Sequence, residues 1–385
     1  MAIADIIKDL NKKYKNNNLV LKANVVPTFT RLQSKAFGLT YVTYGGFAEG
    51  TVTEMSGVES SGKTTCAMLT VADCQRKYPN KVCVYIDAET FMDVDFQAKM
   101  NGVDLDRLYY VRPTQMSGEQ ILDMAMEFLK DPEVGLLVLD SLPALIPQIV
   151  WESDLTKDNG MRATMARKLY WFLPMARSLV SENNSQLILI NQVREEAKQF
   201  GGKTLMVQKE TCGWAAKFFC DTIIRFGKKT FTLGDEMEYS GQGKEQGEGA
   251  DGFRLKFKII KNKTAKVARG GGFITYRYDT GIDWLHDLLE IALTFDFIER
   301  INNSQYALVD LETRAILKDE NGKDLKGYKK DIINYLMTHK EFCDAYVQKL
   351  VKFVSESNES YGMLVDTTDI DEEQKNVDKT EKDDE

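Results

Sequence analysis

The chain has 385 residues, 43% hydrophobic and 28% charged, enough to bury a full α/β core with a second, smaller unit beside it. Two histidines, neither at metal-ligand spacing, and six cysteines without a CxxC pair set aside zinc sites, Ser-His-Asp catalysis and a disulfide framework, so reduced thiols are expected. The net charge of −8 argues against nucleic acid only until it is located: residues 366–385 carry ten carboxylates against Lys375, Lys379 and Lys382, which leaves −1 for residues 1–365 and room for basic patches.

At the N-terminus Ile3, Ile6, Ile7, Leu10 and Tyr14 recur at helical spacing with lysines on the other faces, predicting a short amphipathic helix. Such a helix needs a surface, on its own domain or on a neighbouring subunit, and residues 1–34 are read as helix and linker. Asp5 and Asp9 interrupt what would be a signal-peptide core, and no apolar run reaches the roughly 20 residues of a membrane span. A cytoplasmic protein with no membrane partner is expected.

Residues 35–282 read as one α/β core. Short apolar runs (Val52–Met55, Val82–Ile86, Leu136–Leu139, Leu187–Ile190, Thr222–Phe226) alternate with helical patterns, the rhythm of a mainly parallel twisted sheet. Arg254–Lys261 and Phe273–Tyr278 alternate polar and apolar residues and predict half-exposed strands that extend the sheet. The glycine-rich, charged stretch between Gly227 and Gly252 reads as a flexible excursion. A small C-terminal α/β domain is expected over residues 283–360, and a disordered acidic tail over 361–385.

The segment Gly57-Val58-Glu59-Ser60-Ser61-Gly62-Lys63-Thr64 matches G-x-x-x-x-G-K-[ST], between an apolar strand and a helix, where a phosphate-binding loop must sit. The glycines let backbone N–H groups converge on phosphate oxygens at a helix N-terminus, Lys63 neutralises the β and γ phosphates, and the Thr64 hydroxyl can ligate Mg²⁺. ATP and Mg²⁺ are the ligands this implies. Asp140, Glu89 and Gln192 follow other apolar runs and fall at the same sheet end, where open α/β sheets bind ligands. Asp140 fits either the acid that holds magnesium or a helix cap. Glu89 fits the base that deprotonates a water, or a solvent-facing strand-end acid.

These residues stand in an arrangement that resembles the RecA recombinase family. The loop through Thr65 resembles that family's P-loop, with Val58 where a proline is usual, and the likeness continues through Ile86-Asp87-Ala88-Glu89, Leu139-Asp140-Ser141, Leu189–Arg194 and Ile260–Lys263. It spans roughly residues 1–340 and is looser outside the motifs, as in a divergent member; a phage-encoded one is compatible with it.

The resemblance implies that Glu89 activates the hydrolytic water, that Asp93 with Phe96 (a tyrosine in the family) receives the adenine, and that Gln192 senses the γ-phosphate. It also implies that Lys261 and Lys263 reach a neighbour's γ-phosphate across a subunit interface. Strand alternation places these two lysines on the face of Leu255, Phe257 and Ile259. Two segments resemble the family's flexible DNA-binding loops: Trp151–Arg162, with Lys157, and Arg194–Gly213, with Lys198, Phe200, Lys203 and Lys209.

The expected activity is a DNA-dependent ATPase that polymerises on single-stranded DNA and exchanges it with a homologous duplex, with single-strand-binding and loader proteins as further partners. A hexameric helicase of the same fold and an ATP-gated accessory DNA-binding protein are the alternatives.

Overall fold

The computed structural model describes residues 2–14, 19–20, 22, 24, 29–90, 92–152, 161–200, 203–210, 214–227, 229–232, 250–265, 269–356 and 370. The expected disordered tail falls almost wholly outside these residues, as does Lys157.

Two units are distinguished, Met1–Thr30 and Arg31–Glu385. In the first, helix α1 (Ile3–Lys13) opens with the Asp5 carboxylate accepting the Ala2 N–H at 3.1 Å and closes on Lys12 and Lys13, charges that suit the two ends of the helix dipole. None of its residues is buried, and Ile3 is 76% exposed.

The second unit begins with β1 (Arg31–Leu32), the wholly buried helix α2 (Phe37–Val42) and β2 (Phe47–Ala48), which pairs antiparallel with β1. The chain then alternates: β3 (Thr51–Gly57), α3 (Lys63–Lys77), β4 (Val82–Asp87), α4 (Val94–Asn101), β5 (Leu108–Val111), α5 (Gly118–Lys130) and β6 (Val134–Asp140). After the short α6 (Gln148–Trp151) and long α7 (Met161–Asn183) come β7 (Gln186–Phe200), β8 (Lys203–Glu210), α8 (Trp214–Phe219) and β9 (Thr222–Phe226). Strands β10 (Thr230–Thr232), β11 (Gly252–Asn262), β12 (Gly271–Arg277) and β13 (Gly281–Ile282) complete one large sheet.

Its order is β13-β12-β11-β9-β3-β7-β6-β4-β5, parallel from β9 to β5 and antiparallel from β9 to β13. The parallel strands read as continuous apolar runs because both of their faces are covered. Cys83, Tyr85, Leu136, Val138, Ile188 and Ile190 pack into one core with α2, α3 and the C-terminal elements. Their neighbours Val84, Ile86, Leu137, Leu139, Leu187 and Leu189 pack into another with α5, α7 and α8. The mainly parallel α/β architecture expected from the sequence is thus the one observed.

Two expectations are corrected. Residues 194–210 are not an irregular loop: β7 runs on past the sheet and pairs antiparallel with β8, Arg194 opposite Lys209 and Phe200 opposite Lys203. Lys261 does not follow the alternation of β11, because the register shifts between Ile259 and Lys261. The extra residue is a bulge, and it takes Lys261 out of the phase of Leu255, Phe257 and Ile259.

Beyond β13, α9 (Trp284–Thr294) packs beside β12. A three-stranded antiparallel sheet follows, β14 (Ile298–Arg300), β15 (Gln305–Leu308) and β16 (Lys326–Tyr328), with α10 (Lys329–Thr338) and α11 (Lys340–Glu356). Its apolar residues share a core with α2, and the fully buried Arg269 ties the layers by donating to the Tyr41 carbonyl at 3.0 Å and the Val354 carbonyl at 2.5 Å.

Candidate functional site

Strand β3 is buried throughout and delivers the chain to Gly57, after which the phosphate loop turns into α3. Gly62 at the head of that helix has φ +91°, and a Cβ there would stand 2.4 Å from Leu255 Cδ2, so both backbone conformation and β11 demand glycine. Lys63, buried beneath the loop, donates to the carbonyls of Gly57 (3.1 Å) and Val58 (2.6 Å) and to Ser61 Oγ (3.3 Å). Burial lowers its pKa to about 8, against the opposing pull of Asp140, Glu89 and Glu59.

The next two strands bring carboxylates alongside. In the β4–β6 register Asp87 lies opposite Asp140. Asp140 Oδ2 accepts hydroxyl protons from Thr64 at 2.8 Å and Tyr85 at 2.6 Å. Burial raises its pKa to about 6, and those two hydrogen bonds hold it from rising further. Asp87 is spent differently: it accepts the N–H groups of Glu89 (3.1 Å), Thr90 (2.8 Å) and Met92 (3.2 Å) and the Tyr110 hydroxyl, and so shapes the turn that aims Glu89.

Glu89 is half-buried, and its Oε1 accepts from Gln192 Nε2 at 2.5 Å and from the Ser141 hydroxyl. The ends of β4 and β6 and the middle of β7 therefore meet at one carboxylate oxygen. The arrangement can hold a polyphosphate at the loop, a hard cation between Thr64 and Asp140, and a water at Glu89.

A cavity of about 600 Å³ opens beside the loop, lined in part by Glu59, Ser60, Thr65 and Phe96. Phe96 is 44% exposed, while Asp93 caps α4 by accepting the Phe96 N–H at 3.0 Å. Lys229, Phe231, Phe253 and Tyr278 also line it; sequence reasoning missed them, as it missed Tyr85. The signal for Lys229 was only its place two residues before Phe231 at the start of a strand.

Over residues 1–283 the chain matches the family model described as the RecA N-terminal domain. It is similar to Protein RecA of Aquifex aeolicus, 32% identical over 306 residues that cover 80% of this chain and 78% of the relative. Protein RecA of Borrelia duttonii is 27% identical over 90% of this chain and 85% of its own length. The chain belongs to the RecA family. With that membership comes a general ATP-binding and DNA-binding role, and ATPase activity as the RecA family's general property. RecA-family proteins typically bind ATP with Mg²⁺ and generally interact with DNA and with copies of themselves.

The remaining RecA-like residues are dispersed. Trp151 closes α6, 49% exposed. Arg162 opens α7, and Arg194, Lys198, Phe200, Lys203 and Lys209 share the β7–β8 ribbon, whose backbone alone is described. Lys261 donates to the carbonyls of Lys217 and, at 3.3 Å, Phe218; Lys263 donates to that of Phe218 at 3.2 Å. Both thus hold the C-terminal end of α8, and burial with the neighbouring Lys263 charge keeps Lys261 below the ordinary lysine pKa. Among the described residues no helix is long and apolar enough to cross a membrane.

Proposed function

We propose that the chain is an ATP-dependent homologous recombinase that forms filaments on single-stranded DNA and exchanges it with a homologous duplex. The observation that carries this reading is the bond between Gln192 and Glu89, because Gln192 lies on β7, which continues without a break into the β7–β8 ribbon. A γ-phosphate or a water arriving at Glu89 competes for the Gln192 amide. Whatever that competition does to β7 reaches the ribbon through a single strand, where Arg194, Lys198, Phe200, Lys203 and Lys209 contact DNA together with Trp151, Lys157 and Arg162.

In this reading the loop from Gly57 to Thr65 cradles the phosphates and Lys63 balances their charge, with Glu59, Ser60 and Ser61 lining the cradle. Thr64 and Asp140 would hold Mg²⁺, and their hard oxygens, 2.8 Å apart, suit it. Bound there, the ion neutralises charge on the β and γ oxygens. Glu89 takes the proton of the attacking water, oriented by Ser141 and Gln192, and Phe96 with Asp93 receives the adenine. Lys261 and Lys263 leave the end of α8 for a neighbouring subunit's γ-phosphate, so hydrolysis depends on assembly. Residues 1–34 supply a subunit contact, 35–282 the ATPase core, and 283–360 a small appended domain.

The test is a strand-exchange assay with circular single strands and linear duplexes, homologous or not. Joint molecules that need both ATP and homology are expected. Unwinding without pairing, from closed rings in negative-stain images, would instead support a hexameric helicase.

A further inference from the structure

The cavity beside the phosphate loop holds a cation that the reading above leaves unused, Lys229. Strand β10 places Phe231 opposite Phe253, and Lys229, two residues before Phe231, lines the cavity with both rings and with Glu59 and Ser60. Its Nζ stands 4.5 Å from the centroid of the Phe253 ring, so the ammonium is fixed over an aromatic face instead of swinging free in water. Among the described residues it pairs with no carboxylate, and burial lowers its pKa with no acid opposing the shift.

The same cavity is lined by Val58, Glu59, Ser60 and Thr65 of the phosphate loop, so an anion held by that loop lies beside the space that Lys229 borders.

We propose that Lys229 is a phosphate-binding residue of the nucleotide site, supplied by the same subunit from the segment that leads into β10. This rests on the nucleotide reading of the site and adds a ligand contact to it. The ligand class is a nucleoside di- or triphosphate, with Phe96 and Tyr278 offering ring faces to the base and the two lysines gripping the phosphates. The phosphates, not the base, are the partner of Lys229, because the charge it lacks is a negative one and because Glu59, Ser60 and Thr65 of the phosphate loop line the same cavity.

The experiment uses the full-length protein with Lys229→Met, which keeps the aliphatic stem against Phe253, and Lys229→Arg, which keeps the charge. Calorimetric titrations with ATP, ADP and adenosine at low salt are compared, with thermal unfolding as the check on folding. Lys229→Met is expected to weaken ATP and ADP about tenfold or more and to leave adenosine unchanged, while Lys229→Arg stays within about threefold of wild type. Equal ATP affinity in wild type and Lys229→Met would overturn the assignment, and so would equal losses for ATP and adenosine, which would make Lys229 a support for the base wall. Failure of the wild type itself to bind ATP would sink the underlying nucleotide reading; if the wild type binds, only the role of Lys229 is decided.

Discussion

Asp140 and Asp287 are both carboxylates driven up by burial, to about 6 and about 7, yet one ends a strand of the parallel half of the sheet and the other lies on a helix against the antiparallel half. Asp287, on α9, receives the Thr275 backbone N–H at 2.7 Å and has the Arg254 guanidinium 3.8 Å away, itself held by Glu290. These partners are fixed backbone or braced side chain, and their effect is to pin β12 against α9. Asp140 ends a parallel strand, and its partners are two hydroxyl groups that can rotate toward an arriving cation. Burial alone therefore does not mark a site; the mobility of the donors, and a phosphate loop alongside, do.

The comparison can be sharpened at three places. The largest effect is expected at Glu89, which shares the strand-end cluster with Asp140: Glu89→Gln should lower single-turnover ATP hydrolysis by about 10²–10⁴-fold while nucleotide affinity stays within a few-fold. Unchanged hydrolysis would remove Glu89 as the base.

Next comes Tyr85→Phe, which deletes one of the two hydroxyl donors to Asp140 in a wholly buried, isosteric change. A hydrogen bond to a charged acceptor is worth about 1.5–3 kcal/mol. The Mg²⁺ concentration for half-maximal ADP-dependent binding, followed with Mn²⁺ by electron paramagnetic resonance, is expected to rise about tenfold. A fall would mean that the phenol competes with the ion.

The smallest effect on nucleotide chemistry belongs to Asp287, whose contribution is to stability. Its native pKa of about 7 exceeds the unfolded 3.8, so the native state binds the extra proton between those values. The stability this contributes is present in full below the unfolded value and is lost as pH rises through about 7. Asp287→Asn imitates the protonated form, so its stability relative to wild type should grow by up to about 4 kcal/mol between about pH 4 and about pH 8 in urea unfolding. A difference independent of pH would show that Arg254 keeps Asp287 ionised in the native state.

The parallel half of the sheet was legible in the sequence because strands covered on both faces read as apolar runs, and three of those runs are followed by Glu89, Asp140 and Gln192. Lys63 and Thr64 could be named from the phosphate-loop motif. Tyr85 could not: in a run of buried residues a tyrosine looks like core, and only the β4–β6 pairing reveals what its hydroxyl meets. Lys229 depends on the β10–β11 register, which no local pattern encodes. The β7–β8 ribbon escaped because it mixes charge, glycine and polar residues without the alternation that a buried face imposes.

Side chains on a strand take turns between two faces, so position along β11 carries a parity, and one surplus residue inverts it for everything downstream. Ile260 is that surplus residue. It turns Lys261, and Lys263 just past the strand, from the phase of Leu255, Phe257 and Ile259 to the carbonyl end of α8, the helix that follows the ribbon. The whereabouts of Lys261 and Lys263 are therefore encoded by a count of residues and not by the kind of residue.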